Sequence, residues 1–190
     1  ERSAAAADAP ALAAALAAVA ADLKNIRRAW QWAVAQQRWS DMARGLDGLA
    51  AFYRLRGPFR EGAGLFHDAA TALAACAIDA ADRCLLARLL AEEARLMDLQ
   101  GSCAEAVRAA QAAAGHAEAA AAAGIAAAWS ARALALVLWG QVLVRMGDYE
   151  AAGERLESAV ALAQDAAQPG IEAAGRRNLA NMAFFRGDFE

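Results

Sequence analysis

The residues with which this chain could do acid–base, nucleophilic or metal chemistry are two histidines, three cysteines and an adjacent glutamate pair. His67 and His116 fall on different helical segments, and neither belongs to an H-x-x-x-H or C-x-x-C pattern, so no metal set is expected. Cys76, Cys84 and Cys103 are odd in number and separated by 8 and 19 residues, which suits neither a zinc knuckle nor a secreted disulfide framework. They read as small helical residues in a reducing compartment. Glu92 and Glu93 are neighbours, so on a helix their side chains point about 100° apart and cannot act as paired carboxylates. No G-x-x-x-x-G-K-[ST] or G-x-G-x-x-G loop is present, and Gly62-Ala63-Gly64 lies inside a helical pattern. Ser3, Ser40, Ser102, Ser130 and Ser158 lack a nucleophile elbow. The expectation is a protein that is not an enzyme and needs no cofactor or metal.

The elements that position these side chains must be helices. Of the 190 residues 61 are alanine, against 3 prolines and 14 glycines, too few breakers for a sandwich or barrel. An all-α chain of this length is one domain or a short repeat array. The net charge is −3 with no basic run, which argues against a nucleic-acid partner. Lys24 is the one lysine among 19 basic residues, a bias that suits a GC-rich bacterial genome. Ala4–Ala20 is soft alanine broken by Asp8 and Pro10, unlike a signal peptide. The most apolar stretch, Ala133–Val144, is short of the ~20 residues a bilayer requires. A soluble, cytoplasmic protein without a membrane partner is expected. Trp30, Trp32, Trp39, Trp129 and Trp139 read as packing bulk, although Trp30 and Trp32, two apart, cannot both face inward.

Self-comparison reveals a repeat. Gly57-Pro58-Phe59, Gly101-Ser102-Cys103, Gly147-Asp148-Tyr149 and Gly187-Asp188-Phe189 place turn glycines 44, 46 and 40 residues apart. Each glycine would end a helix in the left-handed conformation. Seven residues before them stand Ala50, Ala94, Gly140 and Ala180; five after the first three stand Gly62, Ala106 and Ala152, and twelve after them Ala69, Ala113 and Ala159. These small residues allow antiparallel helices to approach closely. Leu49, Trp139 and Leu179, eight before, and Phe66 and Leu156, nine after, fill the space between them. The pattern predicts helices near 11–37, 40–56, 59–77, 82–100, 103–123, 126–146, 149–166 and 171–186. Pro10 and Pro58 would stand near helix starts, and Pro169 in the last loop. Longer loops are expected at 77–83 and 165–171. The alanine-rich segment Ala104–Ala128 should be the least stable part.

These motifs resemble the tetratricopeptide repeat (TPR) over residues 43–190. The best unit is Ala133–Gln164, with Trp139-Gly140, Gly147-Asp148-Tyr149, Ala152, Leu156 and Ala159; Arg176–Glu190 begins another. The unit around Gly101 departs from the pattern, with Glu93 where a leucine is usual and Cys103 where an aromatic is. Asn25-Ile26-Arg27-Arg28-Ala29-Trp30-Gln31-Trp32-Ala33 is similar to the first helix of the MalT-like TPR regions of bacterial STAND signal-transduction ATPases. Lys24 and Trp30 depart from that pattern. The resemblance implies an N-terminal helical region, residues 1–42, followed by about 3.5 repeats in a right-handed superhelical solenoid of about eight helices.

The resemblance further implies a non-catalytic protein- or peptide-interaction module, the sensor or scaffold arm of a multidomain signalling ATPase or transcriptional regulator. A small-molecule (inducer) sensor is the alternative. The first helix of each pair would line a concave wall carrying Arg54, Arg88, Glu92, Arg95, Gln141, Arg145, Arg177, Asn178 and Asn181. Arginines there would grip carboxylates, and the asparagines would bond an extended peptide backbone. Arg88–Glu92 and Arg95–Asp98 could equally pair along their helix. A small ligand would close Val137, Leu138, Trp139 and nearby arginines around a pocket. The sequence reads as a piece of a longer protein, with Phe184, Phe185 or Phe189 left partly uncovered and able to support self-association.

Overall fold

The computed structural model describes residues 2–76 and 78–187, with side chains from Pro10 onward. Among the described residues are eight α-helices and no strand. They are α1 (Arg2–Ala35), α2 (Trp39–Arg56), α3 (Phe59–Ala74), α4 (Ala80–Leu99), α5 (Cys103–Ala122), α6 (Ala127–Met146), α7 (Tyr149–Asp165) and α8 (Pro169–Arg186). Seven follow the expected bounds to within a few residues. The exception is α1, which runs through Pro10 instead of starting there, carried by alanine on both sides of it. Pro169 is the first residue of α8, where its missing N–H costs little, and not a loop residue. Asp188, Phe189 and Glu190 of the fourth turn, and Ala77 of the expected 77–83 loop, lie outside the described residues.

All four turn glycines are left-handed, with φ of 84° at Gly57, 84° at Gly101, 82° at Gly147 and 81° at Gly187. At Gly101 the reversal is closed by two bonds, Gly101 N–H to Asp98 O (3.0 Å) and Ser102 N–H to Met97 O (2.9 Å). Gly147 and Asp148 repeat the pattern onto Val144 and Leu143. Gly57 makes a single bond to Tyr53 O, because the following Pro58 has no N–H for a second. Three further turns, between α1 and α2, α5 and α6, and α7 and α8, use the same device at Gln37, Gly124 and Ala167, with φ of 53°, 90° and 51°. Gly124 and Ala167 are 43 residues apart, so the repeat extends to both kinds of turn.

The chain divides into two compact units, Glu1–Pro58 and Phe59–Glu190. In the first, α1 packs on α2. Trp30 is buried, whereas Trp32 is exposed with the Arg38 guanidinium 5.6 Å from its ring centre.

In the second unit each helix packs on the next, from α3 to α8, and α4 also touches α6, which touches α8. Among the described residues the alternate helices α3, α5 and α7 stand further apart, with no Cα of one within 8 Å of a Cα of another. The unit therefore has a tight layer, α4–α6–α8, and a spaced layer, α3–α5–α7. The small residues stand where the layers meet. Ala94, Ala106, Ala113, Ala152 and Ala159 are buried, and a Cβ on Gly140 would fall 2.6 Å from Leu156 Cγ. Ala180, the fourth in its series, is exposed. Helix α6 touches four neighbours and is apolar on nearly every side for that reason. The expectation of too short an apolar stretch needs correcting here, since Ala127–Met146 is long and apolar enough to cross a membrane, with most of it buried inside this unit.

Candidate binding site

The tight layer carries most of the expected wall residues, and several of them are engaged with the protein itself. Asp98, buried near the end of α4, is the organising group. Gln141 Nε2 donates to its Oδ2 at 2.8 Å, and Arg145 Nη2 lies 2.8 Å from its backbone O and 2.9 Å from its Oδ1. Arg145 also reaches Cys103 Sγ at 3.6 Å; that contact and the Asp98 charge raise the guanidinium pKa above its usual value. Gln141, Arg145 and Asp98 are thus brought together as a clasp between α4 and α6. Glu92 is buried, with Arg95 Nε 3.7 Å from its Oε2, and Arg88 is half-buried on the same helix. Asn178 is buried, its Nδ2 donating to Ala174 O at 2.9 Å within α8, while Arg177 and Asn181 are exposed. Arg54 is half-buried on α2, in the first unit.

Val137, Leu138 and Trp139, expected to line a ligand pocket, are taken up in packing within the protein. Val137 and Leu138 sit in a core cluster with Ala91, Ala94, Ala110 and Ala113, and the Trp139 ring is covered by the Arg155 guanidinium at 4.6 Å.

A cavity opens instead in the spaced layer. Because the backbones of α3 and α5 stand apart, they leave a cleft of about 460 Å³ floored by α4. Helix α3 contributes His67, Ala70, Thr71 and Ala74. The floor is Leu86, Leu90, Glu93 and Met97, and α5 supplies Glu105, Arg108, Ala109, Ala112 and His116. A second depression of about 310 Å³, between Arg60 and Ser102, shares His67, Met97 and Glu105 with it, so the cleft continues along the helices.

Glu93 is the unusual member. It is 3% exposed, its Oε1 lies 2.9 Å from His67 Nδ1, and its Oε2 has no hydrogen-bond partner. Burial pushes the carboxyl pKa up; the His67 hydrogen bond and charge oppose this, and Asp68 adds to it. At the same place in the repeat, eight residues before the turn glycine, the other units carry Leu49, Trp139 and Leu179. Across the cleft Arg108 pairs with Glu105 at 3.3 Å, and burial, then the Arg83 charge, lowers the His116 pKa. The two histidines, read from sequence as unrelated, line one cavity. Among the described residues no group of three His, Cys, Asp or Glu side chains could hold a metal ion.

The arrangement can bind a ligand with an apolar body through Leu86, Leu90 and Met97, and orient it through the buried carboxylate and two imidazoles. No family model, curated protein or solved structure matches the chain. Sequence reasoning missed His67, Glu93, Arg108 and His116 as a set. The signal available was Glu93 itself, a charge at a position that the repeat otherwise reserves for a large apolar side chain.

Proposed function

We propose that the protein is a non-catalytic binding module of TPR-like helix pairs that holds a segment of a partner protein or peptide in the cleft between α3 and α5. The carrying observation is the buried Glu93 on the floor of a 460 Å³ cleft. Leaving a carboxylate oxygen buried and unsatisfied costs stability, of the order of 1–3 kcal/mol or more. Such a cost persists where a ligand repays it. The continuation of the cleft past His67 towards Arg60 suits an extended segment. The right-handed solenoid, and a place as the sensor or scaffold arm of a bacterial STAND-type regulator, belong to the same proposal. They rest on the turn register and the Asn25–Ala33 motif.

Selection of peptides from a displayed library against the wild type and Ala112→Phe tests this reading. Peptides that lose binding to the variant, whose added ring narrows the cleft, support it. Equal binding by both proteins rejects it.

A small-molecule sensor is the second reading, favoured by a cleft volume within the ~300–1,000 Å³ of small-ligand sites. A metabolite that raises the melting temperature of the wild type and not of Ala112→Phe would select it.

A further inference from the structure

Resting on that reading, the chemistry of the cleft narrows what enters it. Its deepest polar group is an acid, Glu93, with one oxygen on His67 and the other on nothing. The remaining charges largely cancel, since Arg108 is held by Glu105 and His116 is pushed by burial towards its neutral form. The floor beside Glu93 is apolar, formed by Leu86, Leu90 and Met97. The His67 side chain that covers the carboxylate is 60% exposed, so it can turn out into solvent at the cost of its bond to Glu93 and little buried surface. A cationic nitrogen can then take its place on the acid.

We propose that the cleft binds an organic cation, an ammonium or guanidinium on an apolar stem, which pairs with Glu93 while the stem lies on Leu86, Leu90 and Met97. The same chemistry is offered by a small amine or by a Lys or Arg side chain of a bound peptide. A paired cation converts the buried acid from a cost into a charge-assisted hydrogen bond, the stronger class.

His67 and His116 are the only histidines in the chain and both line the cleft, so imidazole NMR signals report on it alone. The probes are pentylamine and phenethylamine, their alcohol and carboxylate counterparts, and a blocked Ala-Lys-Ala peptide with its acetyl-lysine form, each at millimolar concentration. The amines or the lysine peptide should shift both rings saturably, and Glu93→Gln should weaken that binding at least tenfold. The alcohols, carboxylates and acetyl-lysine peptide should not bind. Response to the small amines alone assigns the cation to a metabolite, and tighter binding of the lysine peptide assigns it to a protein segment; both support the proposal. If alcohols or carboxylates bind as well as amines and Ala112→Phe blocks them, the cation proposal fails and the binding-module reading stands. If no probe of any charge moves either ring, the cation proposal fails, and the peptide selection against Ala112→Phe decides the binding-module reading.

Discussion

His67 on α3 and Glu93 on α4 meet at 2.9 Å on the floor of the cleft, joining residues 26 apart in sequence. The contact is unequal, because the carboxylate is almost wholly buried and the imidazole side chain mostly exposed. Glu93 therefore carries the electrostatic cost, and its consequences are measurable.

The first is pH dependence. The folded chain holds the Glu93 proton more tightly than the unfolded chain, whose carboxyl titrates near the ordinary 4.5. Between that value and the raised one the folded state binds more protons, so stability falls as pH rises through this window and stays lower above it. His116 acts in the opposite sense. Its lowered pKa means that stability is full above the ordinary 6.5 and falls as pH drops towards the folded value. Urea midpoints followed against pH should lose the first slope in Glu93→Gln and the second in His116→Gln. An unchanged profile in either variant contradicts the assignment.

Gly140 and Leu156 fix the approach of α6 to α7. Gly140→Ala should destabilise by about 1–3 kcal/mol, because its Cβ would overlap Leu156 Cγ. Leu156→Ala should cost about 2–5 kcal/mol alone. The double variant should be more stable than the sum implies, since removing Leu156 makes room for the methyl. Strict additivity in urea unfolding would break this register.

The Asp98 clasp separates structural arginines from binding ones. Arg145→Ala leaves buried Asp98 with Gln141 as its remaining side-chain partner and should cost about 1–3 kcal/mol. It should leave binding of cleft ligands unchanged. Loss of that binding with no loss of stability would return Arg145 to the wall of a binding site.

Helix α5 buries only alanines, among them Ala106, Ala110, Ala113, Ala117 and Ala120. Alanine contributes little area, so α5 should open at lower free energy than α6, which buries Leu136, Val137, Leu138 and Val142. Amide exchange should be faster in α5 than in α6, and a cleft ligand should slow it. Equal protection of both helices would contradict this.

The helices and their turns were legible because each depends on local chemistry. A glycine at φ near 80° and small residues at fixed offsets from it are written in one stretch of chain. The start of α1 was misjudged because the surrounding alanines outweigh the hydrogen bond that Pro10 removes. The cleft was not legible, since it exists only where α3 and α5 stand apart over α4 and no local pattern encodes that gap. Its trace was Glu93, visible as a broken repeat position. Gln141 and Arg145, expected on a binding wall, lie on α6 in the tight layer, and Asp98, which occupies them, lies 43 and 47 residues away in sequence.

Replacing Glu93 with leucine tests most directly whether the second repeat is built to bind. Glu93→Leu restores the apolar residue found at this place in the first and fourth units and removes the unsatisfied oxygen. The variant should melt at a higher temperature than the wild type while losing the ligands of the cleft. A lower melting temperature with binding retained would mean that Glu93 serves the fold through His67, and that the cleft is not a binding site organised by Glu93.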